Sequence, residues 1–398
     1  MVNEKMRRLG ANRSVIRDLF EYANARRKEI GAENVFDFSL GNPSVPTHED
    51  VTARMISLLQ NQPPASLHGY TSAPGAAEVR QAIAAYIANA YSAECSPELI
   101  YLTCGAAAAL VCALSALLCA EDEAVVFAPF FPEYRVFIEN TGAKLVCVPC
   151  KEPDFSIDFT SFSKAVTNKT RVVIVNSPNN PTGKVITEEE LKTLCAILKQ
   201  KEREYGAPIY LISDEPYREI VYGNVFVPYV PRYYNNAAVC YSFSKSLSLP
   251  GERIGYISVS PRAQNAAAVF EAICGAGRAH GYVCAPSLLQ FTVAECLGKT
   301  ADFSSYKINR DLLYSYLCET GYDCVRPDGA FYLFVKALEK DAKAFSERAK
   351  KYELILVPSD DFYYPGYVRI SYCVPIDTVR RSLPAFKALM EDYAREKR

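Results

Sequence analysis

The chain has no tryptophan, three histidines and four methionines among 398 residues, and no excess of either charge, with 44 Lys and Arg against 45 Asp and Glu. That balance argues against nucleic acid or an anionic membrane surface as the main partner, because both select a concentrated basic field. His48, His68 and His280 include no pair at ligand spacing, so a metal centre has no support. The most apolar run, Ala106 to Ala120, falls short of the roughly 20 residues a membrane helix needs and stops at Glu121, Asp122 and Glu123. It reads as a buried helix, and no membrane span is expected. Met1 to Gly10 mixes Glu4, Lys5, Arg7 and Arg8 without an apolar core, so no signal peptide is expected.

Hydrophobic residues make up 49% of the chain and aromatics 12%, enough for a large core and too much for general disorder. The length suggests two or three domains. Fourteen cysteines are present, diluted and irregularly spaced, which reads as reduced core residues in a cytoplasmic protein. Cys147-Val148-Pro149-Cys150 has the spacing of a redox or half-zinc motif, yet no second pair accompanies it and it ends a predicted strand, so a structural role is the better reading.

Short apolar runs at Ala124 to Phe127, Leu145 to Val148, Arg171 to Asn176, Ile209 to Ser213, Val239 to Phe243 and Ile254 to Val259 predict strands. Helical patterns such as Glu133 to Asn140 and Glu188 to Glu204 lie between most of them. The alternation predicts an α/β fold with a mostly parallel sheet. Only Ser244 to Arg253 separates the last two runs, too little for a helical crossover, so Ile254 to Val259 is expected to be antiparallel. After Pro286 the texture changes to long helical patterns, short strands at Phe331 to Val335, Glu353 to Val357 and Tyr367 to Ser371, and a helix from Ile376. We therefore expect a large domain over residues 46–286 and a smaller α+β domain from 287–398, joined by residues 1–45 through a helix near Ile16 to Glu29.

Ligands of open α/β sheets bind beyond the carboxyl ends of the strands. Reading just past each run gives Ser177-Pro178-Asn179-Asn180-Pro181-Thr182-Gly183, Asp214-Glu215-Pro216-Tyr217 and Ser244-Lys245-Ser246, with Thr103-Cys104-Gly105-Ala106-Ala107 ahead of the apolar helix. A helix start with small residues offers free N–H groups to a phosphate. A lysine beside it serves as a charge partner or as a Schiff-base nucleophile. An aspartate suits a protonated ring nitrogen, and an amide with a phenol suits a ring oxyanion. Pyridoxal phosphate presents all four demands in one molecule.

At these residues a resemblance becomes explicit. Ser242-Phe243-Ser244-Lys245, with Arg253 inside Gly251-Glu252-Arg253-Ile254-Gly255, resembles the lysine signature of the class I/II aminotransferases, which have the fold-type I pyridoxal phosphate architecture. Asn179 to Gly183 and Asp214 to Tyr217 match other segments of that family in order and spacing. The match extends from Ser39-Leu40-Gly41-Asn42-Pro43 through Gly69-Tyr70 and Pro327-Asp328-Gly329-Ala330-Phe331 to Tyr367-Val368-Arg369-Ile370-Ser371.

The resemblance implies that Lys245 bonds the cofactor aldehyde and moves the substrate α-proton, that Asp214 holds the ring nitrogen, and that Asn180 and Tyr217 hold the ring oxygen. It implies Gly105, Ala106, Ala107, Ser242, Ser244 and Arg253 as phosphate ligands and Phe131 over the ring, where many relatives with dicarboxylate substrates have tryptophan. Arg369 would clamp the substrate α-carboxylate, assisted by Asn180 and Gly41. Tyr70 resembles the tyrosine that reaches the neighbouring subunit's phosphate site, which implies a homodimer. Arg278 and His280 lie where some relatives read a distal carboxylate. The implied activity is ping-pong transfer of an amino group between an amino acid and a 2-oxo acid. A carbon–sulfur β-lyase on the same scaffold is the alternative, since Lys245 and Asp214 would serve either reaction. An effector module of a transcription regulator is disfavoured, because only some 40 residues precede Gly41.

Overall fold

The computed structural model describes residues 2–11 and 15–396. Met1 of the segment read for a targeting signal lies outside them, as do residues 12–14 and 397–398 of the expected smaller domain. The strands among the described residues are β1 Phe36–Asp37, β2 Ile100–Thr103, β3 Glu123–Ala128, β4 Lys144–Pro149, β5 Thr170–Asn176, β6 Tyr210–Asp214, β7 Ala237–Ser242, β8 Gly255–Val259, β9 Tyr332–Lys336, β10 Leu354–Ile355, β11 Val357–Pro358 and β12 Tyr367–Ser371.

Seven of them form one sheet in the order β2-β8-β7-β6-β5-β3-β4. The pairs from β4 through β7 are parallel, and β8 runs antiparallel to both β7 and β2. The short β7–β8 connection forces this reversal. β2 has no counterpart among the strands expected from sequence: its four residues follow a Pro97 turn and merge into the helix behind them.

Period-two alternation splits the apolar strands between two cores, so both faces of the sheet are covered. Ala124, Val126, Val172, Ile174 and Ile212 pack with Ala109, Cys112 and Ala113 of the helix Gly105–Leu117, whose small residues let it lie close to the sheet. Val125, Phe127, Val173, Val175 and Leu211 pack on the opposite side with Leu191, Leu194 and Leu198 of the helix Glu188–Tyr205. Each fully buried Val, Leu or Ile side chain among them contributes about 2 kcal/mol relative to exposure. The second helix starts with a Thr187–Glu190 capping box and ends at Gly206, whose φ of 66° suits glycine.

A three-stranded antiparallel sheet, β11-β12-β9, and a parallel pair, β1-β10, carry the C-terminal part. The single strand expected over Glu353 to Val357 is divided between these two sheets. Leu19 and Ala23 of the helix Val15–Ile30 pack against Ile355, Val357 and Phe362, which joins the N-terminal segment to the C-terminal one. The helix Ser287–Ala294 instead buries Leu289 and Val293 against Val51, Ile83 and Ile87, beside the large sheet. Among the described residues no helix is long and apolar enough to cross a membrane.

Three neighbouring strands end in polar residues on one rim: β5 at Asn176, β6 at Asp214 and β7 at Ser242. Asn176 stands opposite Asp214 in the register. The site is built here.

Candidate active site

A cavity of about 280 Å³ opens at this rim. It is bordered by Gly41, Ala106, Ala107, Phe131 and Asn180, by Asp214, Tyr217, Ser242, Ser244 and Lys245, and by Arg253 and Arg369. Segments more than 300 residues apart in sequence thus meet around one space.

Lys245 sits in the single helical turn Phe243–Ser246 that follows β7. Its Nζ donates to the Gly41 carbonyl at 2.6 Å and lies 5.5 Å from the Phe331 ring centroid. Burial lowers the amine to about 8; Cys373 opposes that shift, and the positive charges of Arg253 and Arg369 assist it. The neutral, nucleophilic form is therefore accessible near physiological pH.

Asp214 is 4% exposed. Tyr134 Oη donates to Oδ2, while Oδ1 is buried without a partner. Burial raises this carboxyl to about 7, the Tyr134 bond working against the shift and Glu215 adding to it. Asn176 fixes the rim by donating Nδ2 to the Asp214 carbonyl at 2.9 Å and accepting the Asn180 N–H at 2.8 Å.

The anion-binding end is equally built in. Gly105 opens its helix with φ 82°, and a Cβ there would lie 2.6 Å from Arg253 Nη2, so only glycine lets the guanidinium reach the helix start. Arg253 donates to the Cys104 carbonyl at 3.2 Å, to the Pro250 carbonyl at 3.0 Å and to Ser244 Oγ at 3.3 Å. Ser242 Oγ accepts the Ser244 N–H at 3.1 Å and lies 2.7 Å from its hydroxyl. Free backbone N–H groups, two hydroxyls and a guanidinium converge as a phosphate requires.

Across the cavity, Arg369 is 2% exposed. It donates to Asn180 Oδ1 at 3.1 Å and to the Ser39 carbonyl at 2.6 Å, and its Nε has no partner. Its guanidinium carbon lies 4.7 Å from the Tyr332 ring centroid and 5.1 Å from that of Phe362. No carboxylate among the described residues pairs with it.

Phe131 borders the cavity and meets Tyr134 edge-on, with centroids 5.8 Å apart. Tyr70 is wholly exposed and outside the cavity of its own chain. Arg278 and His280 are also exposed and do not border it; His280 Nε2 lies 2.8 Å from Ser115 Oγ. Tyr134, Asn176, Tyr332 and Ile16 were not singled out as site residues from sequence. Tyr134 lies three residues past Phe131 and Tyr332 directly follows Phe331, and that proximity is the available sequence signal. The fourteen thiols are free, and no cluster that could hold a metal ion exists among the described residues.

Pyridoxal phosphate fits this donor set. The orphaned Asp214 Oδ1 is a buried acceptor lacking a donor such as a protonated ring nitrogen, the Gly105 cradle suits a phosphate, and the Lys245 amine suits an aldehyde.

Comparison with known proteins agrees with the geometry. The family sequence model described as "Aminotransferase class I and II" matches residues 33–386. The chain is 30% identical over 356 residues to the aspartate aminotransferase of Thermotoga maritima, covering 88% of this chain and 90% of that one. It is 30% identical to a probable N-acetyl-LL-diaminopimelate aminotransferase of Bacillus subtilis, covering 88% of each. A solved amino transferase of Eubacterium rectale superposes with a TM-score of 0.97 at 50% identity, covering 99% of both chains. With match and site together, the chain belongs to the class I and II aminotransferases, pyridoxal phosphate-dependent enzymes of fold-type I that move an amino group between an amino acid and a 2-oxo acid.

Proposed function

We propose that Lys245 binds the cofactor and shuttles the substrate α-proton, with Asp214 holding the ring nitrogen and Asn180 and Tyr217 the ring oxygen. Gly105, Ala106, Ala107, Ser242, Ser244 and Arg253 hold the phosphate, Phe131 covers the ring, and Arg369, with Gly41 and Asn180, receives the α-carboxylate. The observation that carries this reading is the unpartnered Oδ1 of Asp214, a residue that borders the same cavity as Lys245.

When bound, pyridoxal phosphate supplies an aldehyde that amines capture and a ring that withdraws electrons from the substrate α-carbon. Lys245, desolvated and flanked by two guanidinium groups, releases its own proton at mild pH and can then accept one from carbon. Asp214 would hold the positively charged ring nitrogen and would itself be ionised there, since an opposite charge favours the anion. Arg369 orients the substrate by its planar fork and anchors the carboxylate away from Lys245. Substrates alternate at this cavity, giving ping-pong kinetics.

The division into residues 46–286 and residues 1–45 with 287–398 is likewise proposed. The sheet pairing of β1 with β10 supports joining residues 1–45 to the C-terminal unit, whereas the helix Ser287–Ala294 packs on the first unit. A homodimer is proposed in which Tyr70 completes the neighbouring phosphate site. In support, the Tyr70 side chain is wholly exposed and borders no cavity of its own chain, which leaves it available to a second copy. Fourteen free thiols support a reducing, cytoplasmic compartment.

Mixing the cofactor-loaded protein with single amino acids and following its visible absorbance tests the reading. Loss of the band with release of the matching 2-oxo acid is expected, and it should vanish in Lys245→Ala. A Lys245→Ala protein that still transaminates would overturn it.

A further inference from the structure

We infer that Tyr332 is a positioning residue for amino-group transfer: its hydroxyl donates to the Tyr217 oxygen and thereby directs the one phenolic proton of Tyr217 into the cavity. The inference rests on the proposed placement of Tyr217 at the cofactor ring oxygen and goes beyond it by naming what aims that donor.

The two hydroxyl oxygens are 2.7 Å apart, and both side chains are buried. Each phenol has a single proton. Were Tyr217 to spend its proton on Tyr332, nothing would remain for an oxyanion in the cavity. Among the described residues Tyr217 is the sole hydrogen-bond partner of the Tyr332 hydroxyl, so Tyr332 is free to donate. Two further contacts hold Tyr332 in this role. A Cβ at position 41 would lie 2.2 Å from the Tyr332 hydroxyl oxygen, so Gly41 leaves the room that the hydroxyl occupies. On the ring side the Arg369 guanidinium carbon lies 4.7 Å from the ring centroid, and its charge opposes the burial that makes both phenols weaker acids.

Tyr332 therefore touches the proposed carboxylate-binding cation with its ring and the proposed oxygen-binding phenol with its hydroxyl. A donor chain running from Tyr332 through Tyr217 polarises the terminal O–H, which strengthens its last bond. The other titratable groups acting on the pair are Asp214 and Cys373, with Lys245 bordering the same cavity.

The test is a pH titration of the visible band of the pyridoxal phosphate-loaded protein, with thermal melting as a check of folding. A donor on the ring oxygen favours the form of the bound cofactor with more negative charge, so weakening the donor raises the midpoint. Tyr217→Phe should raise it by about one pH unit or more, and Tyr332→Phe by roughly half a unit, about threefold in the equilibrium. The double variant should shift no further than Tyr217→Phe alone, because Tyr332 acts through Tyr217. A monofluorinated tyrosine at position 332 keeps the shape, donates more strongly and should lower the midpoint, which covers the case where Tyr332→Phe fails to fold. An unmoved midpoint in both position-332 variants beside a shifted Tyr217→Phe overturns the inference and leaves the Tyr217 assignment standing, as does strict additivity in the double variant. An unmoved midpoint in Tyr217→Phe overturns that assignment itself.

Discussion

Tyr134 donates its phenolic hydrogen to Asp214 Oδ2, while Oδ1 of the same carboxylate is buried and unpartnered. Half of the carboxylate is satisfied by the fold and half is held ready for a ligand. Leaving a buried acceptor unpaired costs stability, and burial accordingly pushes the group up to about 7. Such strain is expected where function opposes stability.

Asp214→Asn should therefore stabilise the cofactor-free protein above pH 7 while abolishing turnover. The folded carboxyl keeps its proton up to about 7, whereas the unfolded chain loses it near 3.8. Between those values the native state binds more protons, so this group's contribution makes stability fall as pH rises. Urea denaturation at pH 5 and pH 8 measures it: the pH-dependent loss, on the order of 2 kcal/mol, should disappear in the variant.

Arg369→Lys keeps the charge but not the two-pronged donor geometry, and shortens the reach to Asn180 and Ser39. The KM for the amino acid should rise roughly tenfold to a hundredfold. The visible spectrum of the loaded protein should stay as it was. Steady-state kinetics with a parallel spectrum separates the two effects.

Gly105→Ala tests the phosphate cradle. The left-handed φ of 82° and the 2.6 Å approach to Arg253 Nη2 both oppose a methyl group. The guanidinium must retreat, so the dissociation constant for pyridoxal phosphate should rise about tenfold. Binding of pyridoxal, which lacks the phosphate, should change little. Equal losses for both ligands would place the phosphate elsewhere.

The strands most legible in the chain were those buried on both faces, β3, β5 and β6, whose uninterrupted apolar runs leave little choice of element. β2 escaped because four residues between a proline turn and a helix carry no period. The stretch Glu353 to Val357 reads as one strand, yet its residues serve two sheets, a division made by partners far away in sequence. At the site, loops that follow strands were readable because their polar residues interrupt apolar runs. Asn176, Tyr134 and Tyr332 were harder to see, since each works on another site residue: Asn176 on the backbone of Asn180 and Asp214, Tyr134 on the Asp214 carboxylate and Tyr332 on the Tyr217 hydroxyl. Such relations arise only when the chain has folded. Tyr70 is the reverse case, a residue suggested by sequence that finds no place in the cavity of its own chain.

The central claim is that one amine, on Lys245, bonds the cofactor. Borohydride reduction of the pyridoxal phosphate-loaded protein makes such a bond permanent, and peptide mass mapping locates it. The account predicts a single modified peptide containing Lys245, one cofactor per chain, and none in Lys245→Ala. Cofactor fixed at another lysine, or unchanged labelling in Lys245→Ala, would contradict it.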